Sequence, residues 1–157
     1  MKSASVSELK STLKGMSQAQ LIELCLRLAR FKKENKELLT YLLYEADDLH
    51  AYLDTVKKET AEEMAAVNTN NWYWTKKGLR KILRLLNKHV RYTGSKMAEV
   101  ELRLYFCTLM KGIRRPLFKG AAFDNLYNGQ LKKAEAALKG LHEDLQRDYQ
   151  VQVDELK

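Results

Sequence analysis

Apolar residues recur at three- and four-residue steps along most of the chain, which is the pattern of amphipathic α-helices. No segment alternates apolar and polar residues over the length of a strand, and the single proline is Pro116. We therefore predict an all-α fold, a compact multi-helix bundle of about six helices with no strands. Because no Pro/Ser-rich linker divides the 157 residues, we expect a single domain covering residues 1–157.

Two segments are apolar on nearly all sides and are predicted to be the central helices of this bundle. They are Leu21–Phe31 and Val100–Met110. Cys25 lies in the first segment and Cys107 in the second, so we predict two buried, unreactive thiols instead of a disulfide or a catalytic nucleophile. Between them a heptad pattern predicts one long helix with a continuous pairing seam, formed by Leu39, Leu42, Ala46, Leu49, Leu53 and Val56.

Helix boundaries follow from local signals. Ser5 with Glu8 and Ser17 with Gln20 have the spacing of capping boxes, and Asn35 is a candidate N-cap for the next helix. A polar loop, residues 68–71, precedes another N-terminus, and Gly94 is suited to end that helix. Asn128-Gly129 is expected to separate a short helix from a last helix beginning near residue 130.

The opening segments, SQAQLIELCLRLA and then NKELLTYLL, resemble the helix pairs of α-solenoid repeats and of some uncharacterised all-helical bacterial families. The resemblance covers less than a third of the chain. No second copy recurs at a fixed period, so it implies a helix pair and not an extended repeat array. It carries no functional residue.

The net charge of +8 is concentrated in the middle of the chain. Residues 1–69 contain ten Lys/Arg and eleven Asp/Glu, and residues 121–157 contain five and seven. Residues 70–120 contain thirteen Lys/Arg and only two Asp/Glu. Such asymmetry indicates a local basic surface, which suits an anionic partner.

Most of this charge falls on one amphipathic helix that begins after the polar loop. Its apolar face consists of Leu79, Ile82, Leu83, Leu86 and Val90. The rest of its circumference carries the predicted anion-binding or partner-binding residues Lys76, Lys77, Arg80, Lys81, Arg84, Lys88 and Arg91, which Arg114 and Arg115 join if the fold brings them near.

An aromatic trio, Trp72, Tyr73 and Trp74, opens this helix. Exposed aromatic rings beside cations can stack unpaired bases, and Trp72 and Trp74 are the stacking candidates. Their alternate spacing at a helix start equally suits a packing role in the core. The sequence leaves both interpretations open.

The sequence leaves three candidate functions, which we rank. The first is a non-enzymatic helical interaction module whose partner is an acidic protein surface, and the alternative is RNA or DNA binding through the basic helix. The basic residues could also face acids of the same chain between Glu45 and Glu63. An enzyme is third, because no catalytic motif is present and we predict no catalytic residue.

No cofactor or metal site is predicted. His50, His89 and His142 lie on separate predicted helices without a second ligand at the usual spacing. No apolar run is long enough to span a membrane and no secretory signal pattern is present, so we expect no membrane partner and a cytoplasmic location. The pattern leaves the oligomeric state open.

Overall fold

The computed structural model describes residues 1–113 and 121–157, and in these residues the chain is helical without strands. The α-helices are α1 Val6–Lys14, α2 Gln18–Phe31, α3 Lys33–Thr40, α4 Leu49–Ala65, α5 Trp72–Thr93, α6 Lys96–Ile113, α7 Ala121–Leu138 and α8 Glu143–Leu156. A π-helical turn, Tyr41–Glu45, lies between α3 and α4. The all-α prediction is confirmed, and the described residues form eight α-helices where about six were expected.

The described residues divide into two compact units, Met1–Tyr44 and Glu45–Lys157. In the first unit, both capping boxes form as predicted. The side chains of Ser5 and Ser17 each accept a hydrogen bond from the backbone N–H three residues later. The side chains of Glu8 and Gln20 in turn accept from the backbone N–H of Ser5 and Ser17. Asn35 caps no helix, because its side-chain amide instead donates to the Leu28 carbonyl at 2.9 Å and ties α3 back to α2.

The prediction that residues 21–31 form a central, buried helix is wrong. None of the residues of α2 is buried, and Cys25 is exposed. Within its own unit α2 has only the short helices α1 and α3 as neighbours, and neither of these buries a residue. A helix that is apolar all round needs neighbours on every side, and the sequence pattern alone does not state whether they are present.

The predicted heptad helix is divided into two. The π-helical turn ends α3, and Asp48 starts α4 by accepting a hydrogen bond from the Ala51 N–H at 3.0 Å. Leu42 of the proposed seam is therefore exposed, whereas Leu53 and Val56 in α4 are buried. The seam then continues past its expected end through Thr60, whose hydroxyl donates to the Val56 carbonyl at 2.7 Å and is thereby compatible with burial.

The second unit is built around α6, the other predicted central helix. Val100, Phe106, Cys107 and Met110 are fully buried, so this prediction is confirmed. Helices α4, α5, α7 and α8 all pack against α6. The side of α6 that faces α7 and α8 contributes to one apolar cluster, whose buried members are Val100, Leu104, Cys107, Leu131, Ala134, Ala137, Leu138, Val153 and Leu156.

The break in the C-terminal region lies later than expected. Asn128 and Gly129 lie inside α7, and the chain turns only after Leu138. A glycine in a helix costs about 1 kcal/mol relative to alanine, which is less than the burial of Phe123 and Leu131, on either side of Gly129, can supply. At the actual turn, a Cβ on Gly140 would lie 2.3 Å from Nζ of Lys96, so glycine permits this close approach.

The two cysteines should respond differently to a thiol reagent. Cys25 is exposed, whereas Cys107 is buried and the loss of hydration raises the pKa of its thiol to about 12. We expect a bulky reagent at about pH 8 to modify one thiol per native chain rapidly and the second only in denaturant. Cys25→Ser should remove the rapid reaction. Rapid modification of Cys107 in that native variant would contradict the described core.

Candidate nucleic-acid interface

The first turn of α5 is fixed by its preceding loop. Asn71 is the N-cap, and its side-chain oxygen accepts a hydrogen bond from the Trp74 N–H at 3.1 Å. The buried Thr75 hydroxyl lies 2.8 Å from the Asn71 carbonyl and 3.1 Å from the Asn68 carbonyl. A Cβ on Gly78 would lie 3.0 Å from both methyl groups of Val67, so the loop can pack closely on the helix. These contacts set where the helix begins.

The rotation of α5 about its axis is fixed by burial of one face. Leu79, Ile82 and Leu86 are at most 2% exposed, and α5 packs on α4 and α6. A hydrogen bond of 2.7 Å between the Tyr52 hydroxyl and Nδ1 of His89 joins α4 to α5 on one side of this face. Because this apolar stripe faces inward, the opposite face of the helix must be in water.

The cations predicted on α5 are distributed unequally around it. Five of the seven are exposed, namely Lys77, Arg80, Lys81, Arg84 and Arg91, and the other two, Lys76 and Lys88, are half-buried. Lys77, Arg80, Arg84 and Arg91 follow one another at steps of three, four and seven residues. At 100° per residue these steps keep them within an arc of about 60°. We call these four residues the basic ridge.

Tyr73 lies on the same line as the basic ridge, one turn before Lys77. Together Tyr73 and the ridge extend over about 27 Å of helix at 1.5 Å per residue. Side chains three or four residues apart are neighbours on a helix surface, so the ridge concentrates like charges with no acid between them. This arrangement creates a linear positive surface that matches a phosphate backbone better than a single anion.

The acidic residues of α4 leave the basic ridge uncovered. Glu63 contacts α5 through Lys81, with a distance of 2.7 Å between Oε2 and Nζ. Lys81 lies beside the ridge and not on it. Arg80, Arg84 and Arg91 form no ion pair with any residue that the structure describes. The expectation that acids between residues 45 and 63 could neutralise the helix therefore applies to Lys81 and not to these three arginines.

Two other basic side chains in this unit, Arg103 and Lys57, differ from the ridge because they are paired. The buried Arg103 donates to Glu99 from Nε at 2.8 Å and to the Gln130 side chain at 2.6 Å. Lys57 donates to Glu101, which also accepts from the Tyr149 hydroxyl at 3.2 Å. Burial and the Glu101 carboxylate raise the pKa of Tyr149 to about 12. These groups join helices to one another and have a structural role.

The aromatic trio at the start of α5 divides into a packing residue and an exposed pair. Trp72 is half-buried, and its ring lies 6.0 Å from that of Phe123, centroid to centroid. Tyr73 is 67% exposed and Trp74 is 45% exposed. Their rings are 5.1 Å apart at 81°, an edge-to-face contact. Because residues two apart lie on opposite sides of a helix, Trp72 and Trp74 take different roles.

Of the two predicted stacking residues, only Trp74 has the exposure that stacking requires. The second exposed ring is that of Tyr73, which was not among the predicted stacking residues. The four-residue step from Tyr73 to Lys77 is the sequence signal that places it on the same helix face as the cations. Nζ of Lys77 lies 5.2 Å from the centroid of the Trp74 ring, within cation–π distance. We call Tyr73 and Trp74 the aromatic pair. The predicted residues Arg114 and Arg115 lie outside the described residues.

Charge reversal should distinguish the exposed ridge from the paired flank. We expect Arg80→Glu or Arg84→Glu to change the free energy of unfolding by less than about 0.5 kcal/mol, because neither residue has a charged partner to lose. Lys81→Glu should lower it by about 0.5–1 kcal/mol, since the new carboxylate faces Glu63. Urea unfolding followed by circular dichroism measures both. A larger loss for Arg80→Glu than for Lys81→Glu would show that the ridge is used internally.

Three further observations bear on the class of site. Residues 1–113 and 121–157 contain no group of three or more His, Cys, Asp or Glu side chains placed to hold a metal ion. In the same residues, no helix is both long and apolar enough to cross a membrane. Comparisons of the chain with protein-family models, curated proteins and solved structures found no match. The geometry and charge of α5 are therefore the features of this chain that indicate a function.

Proposed function

We propose that this protein is a non-enzymatic binding protein whose partner is a nucleic acid, bound through the basic ridge of α5. The observation that carries the proposal is that Arg80, Arg84 and Arg91 lie along one exposed line without an ion pair in the described residues. An arginine can donate two parallel hydrogen bonds to one phosphate, so the ridge offers repeated phosphate contacts. A cytoplasmic location, which the sequence favours, belongs to the same proposal.

Nucleic acid explains the ridge better than an acidic protein surface does. A protein partner would have to supply acids in register over about 27 Å, whereas a phosphate backbone carries charge continuously. The exposed aromatic pair at one end of the ridge is also suited to bases. Both features lie on a single helix whose position in the second unit is fixed by buried residues on its other face.

Salt dependence is the main test of this proposal. Each neutralised phosphate releases counterions, so four ridge cations should give a slope of about −3 to −4 in a plot of log binding constant against log salt. We expect fluorescence anisotropy of labelled oligonucleotides to show this slope, with a dissociation constant near or below about 1 µM at physiological salt. Weak binding seen only at low salt would reflect net charge alone and would contradict a specific role for the ridge.

A matched pair of variants controls for net charge. Arg80→Glu/Arg84→Glu and Lys132→Glu/Lys133→Glu change the total charge equally, and all four side chains are exposed. We expect the first double variant to weaken binding by about 30-fold or more and to reduce the salt slope by about 2, because two phosphate contacts are lost. The α7 variant should bind within about threefold of the wild type. Equal losses for both variants would refute the ridge as the binding surface.

A second candidate function is that of a helical interaction module, and it rests on the first unit. The outward residues of α2 include large apolar side chains that are 38–77% exposed, namely Ile22, Leu24, Leu26, Leu28 and Phe31. At 100° per residue Leu24, Leu28 and Phe31 fall within an arc of about 60°, whereas Ile22 and Leu26 lie on the opposite side of the helix. The first three therefore form one exposed apolar face that is suited to a partner. None of the helices α1, α2 and α3 has a buried residue, and in this unit only Tyr41 of the π-helical turn is buried.

The partner proposed for this surface is a second copy of the chain. Within one chain Nη1 of Arg30 lies 3.5 Å from Oε1 of Glu23, and both side chains are about 70% exposed. In two antiparallel α2 helices that cross midway between these residues, each carboxylate would face the other copy's arginine, so the same ion pair can form between copies. Self-association would also bury apolar surface that a unit of this size cannot cover with its own helices.

Sedimentation of Leu24→Asp/Leu28→Asp tests the second candidate. We expect the wild type to be dimeric at about 50 µM and the variant to be monomeric with unchanged helicity, because the new charges are buried only in the dimer. Lys36→Asp, at an exposed position of α3, is the control and should remain dimeric. A wild-type protein that is monomeric at all concentrations would rule out the second copy as the partner.

A further inference from the structure

The aromatic pair exposes two rings that contacts to a duplex backbone do not require. Tyr73 and Trp74 leave ring surface in water, although Trp72 next to them is half-buried with its ring 6.0 Å from that of Phe123. Two exposed large aromatic side chains at adjacent positions are unusual on a protein surface, and the rest of α5 places its apolar residues inward. The exposed rings therefore point to a ligand with flat apolar faces.

The ligand must also satisfy the neighbouring cations. Lys77 follows Tyr73 by one helical turn, and its ammonium group lies 5.2 Å from the Trp74 ring centroid. Arg80 and Arg84 continue the line at the next two turns. A base stacked on the aromatic pair would thus have its own phosphate, or the next one along the strand, within reach of a cation.

Only an unpaired strand offers both features together. In a duplex the faces of the bases are stacked on one another and are unavailable except at the ends, whereas a single strand exposes them. We propose that the aromatic pair makes α5 a single-strand-selective site, in which unpaired bases stack on Trp74 and Tyr73 while phosphates contact Lys77, Arg80 and Arg84. This inference rests on the proposed function and specifies its class of ligand.

Tryptophan fluorescence gives a direct readout of stacking. The chain has two tryptophans, so Trp72→Phe leaves Trp74 as the single one. We expect a single-stranded oligonucleotide of about 15 residues to quench Trp74 fluorescence as it binds, and the matching duplex to cause much less quenching. Unchanged Trp74 fluorescence on saturation with the single strand would overturn the inference. Phenylalanine at position 72 retains a ring against Phe123, and circular dichroism checks that the fold is kept.

Affinity measurements with two variants complete the test. At physiological salt we expect the single strand to bind at least about tenfold tighter than the duplex of the same sequence. Tyr73→Ala/Trp74→Ala should weaken single-strand binding about tenfold or more while leaving duplex affinity and the salt slope unchanged, because no cation is removed. Tyr44→Ala removes an aromatic side chain that is 78% exposed elsewhere in the chain and should change neither affinity.

The outcomes separate this inference from the proposed function. If both ligands bind equally well and only Arg80→Glu/Arg84→Glu weakens them, the ridge binds nucleic acid and single-strand selection is refuted. If neither ligand binds at physiological salt, or if charge reversal on the ridge has no effect, both proposals are refuted. Selective loss of single-strand binding in Tyr73→Ala/Trp74→Ala, with Trp74 quenching, supports both.

Discussion

Burial of one face of α5 determines most of what is distinctive about this protein. Leu79, Ile82 and Leu86 are nearly inaccessible to water, and each contributes about 2 kcal/mol on burial. Rotating the helix to cover its arginines would expose these leucines and isoleucine and would bury charges without partners, which costs several kcal/mol. The hydrophobic constraint on the inner face therefore fixes the orientation of the charged outer face.

The basic ridge conflicts with the local preferences of a helix. Cations three or four residues apart repel one another by about 0.2–0.5 kcal/mol per pair, and Lys77, Arg80 and Arg84 form two such pairs in succession. Tertiary packing of the opposite face outweighs this repulsion, so the fold tolerates it. A polyanion that lies along the ridge would remove the repulsion, and local conflict with folding rules of this kind is typical of binding surfaces.

The sequence predicted the ends of helices well, but it predicted poorly which helices are buried by their neighbours. Both N-terminal capping boxes, the start of α5 after the polar loop 68–71 and Gly94 at its end were correct because each depends on residues within one or two turns. Local patterns could not show that α6 is buried whereas α2 is exposed. Both are apolar on most sides, but α6 has four neighbouring helices in its unit whereas α2 has only short ones. The number of neighbours is a tertiary property.

The same distinction applies to the site. The inward and outward faces of α5 follow from a 3.6-residue period, so the exposed cations could be read from the sequence. The sequence could not show whether acidic residues cover these cations. Glu59, Glu62 and Glu63 lie close together on a neighbouring helix, and which of them reaches α5 depends on how the two helices cross. In the structure Glu63 contacts Lys81, at the side of the ridge. A rotation of α4 by one residue, about 100°, would have been enough to change that contact, and with it the charge that α5 presents to a ligand.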